Sequence, residues 1–352
     1  MDYGFSHRSY RLPLRTALRT AHGLWTEREG VILRLEDESG RVGFGEIAPI
    51  PSFGTETLVE AREICGKFGD KVTGETLDAI TERFGCVRFA LAAARAEAER
   101  GLRTRFREPM EEKTRSEAAF QQSAPRIPLT ALLPVGKAAI ETLPTRLESG
   151  WLSFKWKVGV GDMDQELGLL DEVMAVLPSY AKIRLDANGA WTRRQAEKWL
   201  ARCADRPVEF VEQPVAPADV DSLMGLAQDY PVTLALDESV VRLAEAREWQ
   251  ARGWPGVFVL KPALVGPLPE LAAWVAKTKA DVVLSSAIET ALGRATILRF
   301  ALMHPDLVKR SPGFGVGEVF GDRRWDGPFT GPVLDDGWAA AINPEELWNA
   351  LT

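Results

Sequence analysis

Six charged side chains each close a short apolar run: Lys155 and Lys157 in SFKWK, Asp186 in KIRLD, Glu212 in EFVE, Asp237 in TLALD and Lys261 in VFVLK. Three carboxylates from successive runs cannot gather unpaired, because like charges in a partly desolvated place raise one another's pKa. A divalent cation resolves that repulsion. Oxygen-only ligands with no His or Cys nearby call for a hard ion, Mg2+, with Mn2+ as the alternative. For any one carboxylate alone, a salt bridge or a cap on the following helix is the competing role. A lysine beside a metal and a second cation has its pKa drawn toward neutrality and becomes a general base; a lysine alone at a strand end can simply reach into solvent. Metal plus lysine base is the equipment for removing a proton α to a carboxylate.

These groups meet only if the runs are neighbouring strands. The runs end near Leu133, Lys157, Asp186, Glu212, Asp237, Lys261 and Ser285, and the last five intervals are each about 25 residues, the length of one strand, one helix and two loops. The intervening segments read as helices. Met163, Leu167, Leu170, Met174 and Leu177 share one face, and Thr192 caps the next helix with Ala196, Trp199 and Cys203 inward. Right-handed crossovers wind such units in one direction, and seven or eight close a barrel. The strand ends then open on one face, where barrel active sites form. Lys155 and Lys157 point the same way from one strand, and Lys157 on the second unit faces Lys261 on the sixth.

The N-terminal part reads differently. Residues 30–37 and 41–48 form a hairpin about a turn at 38–40, Thr57 and Glu60 form a capping box, and residues 86–100 make an amphipathic helix. The polar, weakly periodic stretch 101–126 reads as a domain junction. The chain has 352 residues, with 43 Lys plus Arg against 50 Asp plus Glu. This acidic balance lacks the basic stripe of a nucleic-acid binder. No window approaches a membrane span, and three widely spaced cysteines give neither a disulfide framework nor a zinc site. The three histidines, His7, His22 and His304, are scattered, so acid–base chemistry falls to carboxylates and lysines. A cytoplasmic protein acting on a small molecule is expected, with no nucleic-acid or membrane partner. No heptad or long exposed apolar stripe indicates an oligomeric state.

The segments FKWKVG, RLDANGAWT, FVEQP, LALDES, LKPALVG and SSAIETALGR resemble the enolase superfamily, in particular its muconate-lactonizing subgroup. With GFGEIAPIPSFGTET at 43–57, they are most similar to the o-succinylbenzoate synthases. The resemblance implies an enolase-like α/β fold: an α+β capping domain over 1–125, a modified TIM (β/α)7β barrel over 126–310, and a segment 311–352 that completes the barrel and returns to the cap. It implies Asp186, Glu212 and Asp237 as ligands of Mg2+, Lys157 as base, Lys155 as its support and Lys261 as the cation that stabilises an enediolate. Arg184, Ser285 and Ser286 would bind a small-molecule carboxylate substrate, Asn188 and Ser239 would brace the metal ligands, and loops around His22 and 49–54 would close over the site. The implied reaction is the syn dehydration of 2-succinyl-6-hydroxy-2,4-cyclohexadiene-1-carboxylate in menaquinone or phylloquinone biosynthesis. N-succinylamino acid racemases, dipeptide epimerases and muconate cycloisomerases need the same metal and lysines. The epimerases usually carry an Asp-x-Asp motif where this chain reads SPGFGVGEVFG. The glycines of that run have no following helix to make a phosphate loop. A non-catalytic cation-binding protein would keep the carboxylates but has no reason to keep three lysines.

Overall fold

The structure is a computed structural model that describes residues 1–20, 23–100, 126–327, 331–335 and 341–351. The chain opens on two long antiparallel strands, β1 (Asp2–Thr20) and β2 (Gly23–Glu36), followed by β3 (Val42–Ile47) and, after helix α1 (Leu58–Lys67), β4 (Lys71–Thr73). They form one sheet in the order β3-β2-β1-β4. The turn between β2 and β3 is built on Asp37, whose carboxylate accepts from the Ser39 and Arg41 backbone and from the Arg41 guanidinium. The expected capping box of α1 is present, with Thr57 and Glu60 each satisfying the other's backbone N–H. Helix α2 (Gly74–Asp78) follows β4, and α3 (Gly85–Arg100) lies across β3. Gly43 and Gly45 make that approach possible, since a Cβ at either would stand 2.0 Å from a carbonyl oxygen of α3.

Beyond the short strand β5 (Ile127–Pro128) comes the second sheet: β6 (Thr130–Leu133), β7 (Ser153–Lys157), β8 (Lys182–Asp186), β9 (Val208–Glu212), β10 (Leu234–Leu236), β11 (Val257–Leu260) and β12 (Val282–Leu284). All seven strands are parallel and pair in sequence order. Between them run α4 (Ala138–Glu148), α5 (Met163–Val176), α6 (Arg193–Cys203), α7 (Val220–Asp229), α8 (Leu243–Ala251), the short α9 (Pro262–Val265) and α10 (Leu268–Thr278), with α11 (Ala291–Met303) after β12. The edges do not stay open. The backbone at 312–315 bonds to β6 through Thr130 N to Pro312 O (2.9 Å) and Gly315 N to Thr130 O (3.2 Å), and to β12 through Gly313 N to Leu284 O (2.8 Å). Both contacts are parallel bridges, so this segment sits between the first and last strands and completes the ring. The glycines of SPGFGVG thus serve closure. A Cβ on Gly315 would stand 2.4 Å from the Thr130 carbonyl, and one on Gly313 would stand 2.9 Å from the Ser285 hydroxyl.

Alternation along the strands sorts the layers. Phe154 and Trp156 of β7 are buried outward against the helices, whereas Ser153, Lys155 and Lys157 face the interior, where Ser153 meets Thr130 at 2.8 Å. A separate apolar cluster of Phe210, Ala235, Val257, Val259 and Val283 fills the barrel below the charged ends. The apolar face expected on α5 meets the core: Leu170 and Leu177 are buried and Met163, Leu167 and Met174 are half-buried against it, with Glu166 and Val173 buried beside them. On α6, Ala196, Trp199 and Cys203 point inward as expected. The C-terminal helix α12 (Pro344–Asn349) packs back on the first sheet, where Arg8 bonds the Trp348 carbonyl at 2.7 Å and lies over its ring at 4.4 Å. Strand β13 (Val333–Leu334) pairs antiparallel with β5. Among the described residues no helix is long and apolar enough to cross a membrane. The expected junction at 101–126 lies, up to residue 125, outside the described residues.

Candidate active site

The open end of the barrel gathers the charged strand ends. Asp186, Glu212 and Asp237 are all buried, with exposures of 6%, 1% and 3%. The ammonium of Lys155 bridges two of them, at 2.8 Å from Asp186 Oδ2 and 2.5 Å from Glu212 Oε1. Lys261 bonds Asp237 and stands 4.0 Å from the centre of the Phe53 ring. Lys157, half-buried on the same strand face as Lys155, makes no ion pair or hydrogen bond among the described residues. Burial, then Asp186 and Asp237, push the Glu212 carboxyl well above the usual range, against the pull of Lys155. Burial alone would lower the Lys155 pKa, but the three carboxylates outweigh it and hold the ammonium charged.

Among the described residues no three carboxylates stand in a ready metal-ligating cluster. The ammonium groups of Lys155 and Lys261 lie on oxygens of all three carboxylates. The donor chemistry nonetheless suits a hard divalent ion. Three carboxylates come together from adjacent strands, where burial first and then Asp186 and Asp237 raise Glu212, and they offer oxygen donors only.

An outer layer sets these groups. Asn188, at a positive φ of 45°, donates to Glu238 at 3.0 Å, and its backbone N–H bonds Asp186 Oδ1 at 3.1 Å. The Glu238 carboxyl is pushed up to about 7 by burial and then by Asp237 and Asp186. Gln213, fully buried at φ 38° before Pro214, accepts from the backbone N–H of Asp237 and Ser239 and donates to the Ser239 hydroxyl. It links the ends of β9 and β10, a role the FVEQP motif signals only by placing an amide next to the carboxylate. Glu166 takes three backbone N–H groups of the loop that follows Lys157, from Gly159, Val160 and Gly161 at 2.7, 3.0 and 3.0 Å. Leu132, on the interior face of β6 beside Lys155, is 47% exposed, which makes it an apolar wall of the mouth.

Two of the expected substrate contacts already have partners within the chain. Arg184 shares the interior face with Asp186, but its guanidinium turns toward the strand starts. There it bonds Glu209 at 2.6 Å and the Ser311 carbonyl at 2.7 Å, over the Phe210 ring. Glu209 is also bonded by Arg310 at 2.8 Å. Ser286 donates its hydroxyl to Glu289 at 3.0 Å and accepts the Ile288 N–H at 3.0 Å, so its proton is committed within its own turn. Ser285 stands at the rim beside Gly313, and among the described residues its hydroxyl makes no hydrogen bond.

The first sheet supplies the upper wall. The loop at 49–54 carries Phe53 onto Lys261, and the Gly54 carbonyl accepts from Arg242 at 2.8 Å. Glu46 of β3, 1% exposed, receives the Tyr10 hydroxyl, the backbone and hydroxyl of Thr290 and the Gly293 N–H, and so caps α11 from the other domain. His22 lies outside the described residues.

Comparison with known proteins agrees with this architecture. Residues 138–329 match the family model described as enolase C-terminal domain-like, and residues 6–98 match that described as MenC, N-terminal domain. An o-succinylbenzoate synthase of Thermosynechococcus vestitus is 39% identical over 88% of this chain and 91% of its own. A second, from Desulfotalea psychrophila, is 25% identical over 90% of this chain and 94% of its own. The crystal structure of o-succinylbenzoate synthase from Thermosynechococcus elongatus, complexed with Mg in the active site, superposes with a TM-score of 0.83 at 36% identity, covering 99% of this chain and 100% of that one. An N-succinyl Arg/Lys racemase of Bacillus cereus, at 17% identity and a TM-score of 0.80, shares the fold. With its cap and its barrel both matched, the chain belongs to the o-succinylbenzoate synthase family of the enolase superfamily.

Proposed function

We propose that this chain catalyses the syn dehydration of 2-succinyl-6-hydroxy-2,4-cyclohexadiene-1-carboxylate to o-succinylbenzoate, with Asp186, Glu212 and Asp237 holding Mg2+. The observation that carries the reading is the unequal state of two opposed lysines in a chain of this family. Lys157 is unpaired among the described residues, while Lys261 is paired with Asp237 and covered by Phe53. A syn elimination needs one base on one face, whereas racemisation needs a proton donor and acceptor on both.

When bound, the cation would fix the ring carboxylate and offset the second negative charge that appears there as the α-proton leaves. Lys157 takes that proton and returns it to the hydroxyl departing from the same face, so that water is lost and the ring becomes aromatic. Lys261 places its positive charge opposite, which favours the charge-rich state in a site with little water. Lys155 keeps Asp186 and Glu212 oriented, and Leu132 and Phe53 present apolar surface to the ring and its succinyl arm. Ser285 is left to meet a substrate carboxylate. Arg184 belongs to the barrel floor.

The test is kcat/KM for the dehydration beside racemisation of N-succinylamino acids, with Mg2+ and with chelator. Dehydration that depends on the cation and is the faster reaction is expected. Racemisation faster by ~10-fold, about 1.4 kcal/mol of transition-state preference, would overturn it.

A further inference from the structure

The mouth is formed by two loops from different domains, and one buried side chain holds both. Arg28 of β2, 4% exposed, makes no salt bridge among the described residues and spends its guanidinium on carbonyl oxygens. On the cap side it bonds Pro49 O at 2.7 Å, Ala48 O, and Glu29 O at 3.2 Å. On the barrel side it bonds Ile288 O at 3.1 Å and Ala287 O at 3.4 Å. The first pair of carbonyls begins the loop that carries Phe53 to Lys261. The second lies in the turn after Ser285 and Ser286.

The barrel turn is not one the chain adopts freely. Ile288 is β-branched and sits at φ 59°, a left-handed conformation that such residues enter only when the surroundings force them. Its N–H is taken by Ser286 and its carbonyl by Arg28. The planar fork of arginine, with five donors, suits several carbonyls on two sides, and an ammonium cannot span them.

We propose that Arg28 is a positioning residue that locks the cap loop at 48–54 and the barrel loop at 285–290 into one rigid wall, so that Phe53 over Lys261 and Ser285 at the rim are set together. On the dehydration reading, the wall would meet the part of the substrate away from Lys157. Loss of the lock therefore acts chiefly on KM. This rests on the dehydration reading for its kinetic arm only.

The experiment compares wild type, Arg28→Met and Arg28→Lys by hydrogen–deuterium exchange and by steady-state dehydration at saturating Mg2+. In Arg28→Met, exchange is expected to rise roughly tenfold in both 48–56 and 285–293, with 182–186 unchanged, as for a local opening. Its kcat/KM is expected to fall ~10-fold or more, mostly through KM. Arg28→Lys, which keeps the charge and part of the donor set, is expected to fall between; if Arg28→Met does not fold, this variant carries the test. A rise confined to one of the two loops, no rise in either, or an equal rise in 182–186 would overturn the lock. So would kcat/KM unchanged within about twofold. The exchange arm needs no substrate, so a wild-type enzyme unable to dehydrate the cyclohexadiene counts against the proposed reaction while exchange still decides the role of Arg28.

Discussion

Lys157 and Lys261 carry the same functional group at strand ends of one barrel, and the proposed reaction divides their labour. Lys157 has no partner among the described residues, whereas Lys261 is fixed by Asp237 and Phe53. Replacing each by arginine tests the division. Guanidinium stays protonated, so Lys157→Arg is expected to lose nearly all turnover. Lys261→Arg keeps a cation and is expected to retain part of kcat, reduced by its bulk and planar shape. The check is kcat of both folded variants at saturating Mg2+: equal losses would remove the division, and near-wild-type turnover in Lys157→Arg would remove the base. The charged residues were legible because each closes an apolar strand and strand alternation fixes the face. Their reach was not. Arg184, a substrate contact by the family resemblance, bonds Glu209, because a long side chain can run either way along a barrel axis. Ser286, a substrate contact by the same resemblance, has its hydroxyl bonded by Glu289 and Ile288 within the turn. Sequence spacing does not show which of two nearby acceptors a hydroxyl will choose.

At the scale of elements, the loop between β7 and α5 is the one whose structure bears most directly on chemistry. Glu166 collects three consecutive backbone N–H groups just beyond Lys157, and α5 buries that carboxylate beside the apolar face made by its methionines and leucines. Hydrogen bonds to a charged partner contribute about 1.5–3 kcal/mol each when removal leaves buried groups unmade. Glu166→Gln keeps the shape but offers one acceptor oxygen in place of two. It is expected to lower both Tm and kcat, with KM little changed, since the strand end bearing the base is what loosens. Thermal unfolding and steady-state kinetics check it; a change in KM alone would point to a substrate contact instead. The periodic βα units were readable from their interval. β1 was not, because its alternation changes phase: Tyr3 and Phe5 are buried at odd positions and Tyr10 and Leu14 at even ones, before the register shifts between Pro13 and Leu18. The closing segment at 312–315 is expected from the family resemblance alone, as glycine-rich backbone carries no apolar pattern to mark it as part of a barrel.

For the whole molecule, the cap is joined to the barrel by Glu46 at the start of α11, by Arg28 and by Phe53, so the mouth exists only in the folded assembly of both. The three carboxylates at its base are held together by the fold and repel one another. A divalent cation that binds them binds the native chain alone and must stabilise it by mass action, about 2.7 kcal/mol at a hundredfold excess over its dissociation constant. A domain of 150–250 residues gains roughly 2–4 °C in Tm per kcal/mol, and a chain of this length somewhat less. Titrating Mg2+ against Tm at neutral pH, with no substrate, is therefore expected to give a saturating rise of several degrees. Asp186→Asn removes one proposed ligand and should weaken the half-point by an order of magnitude or more and flatten the curve. Screening of general surface charge predicts a different pattern, because it follows ionic strength and not the identity of the ion. KCl at matched ionic strength is expected to leave Tm nearly unchanged. An equal rise with KCl, or an unaltered Mg2+ titration in Asp186→Asn, would mean that the carboxylates at the strand ends are neutralised by Lys155 and Lys261 alone and that no cation is held between them.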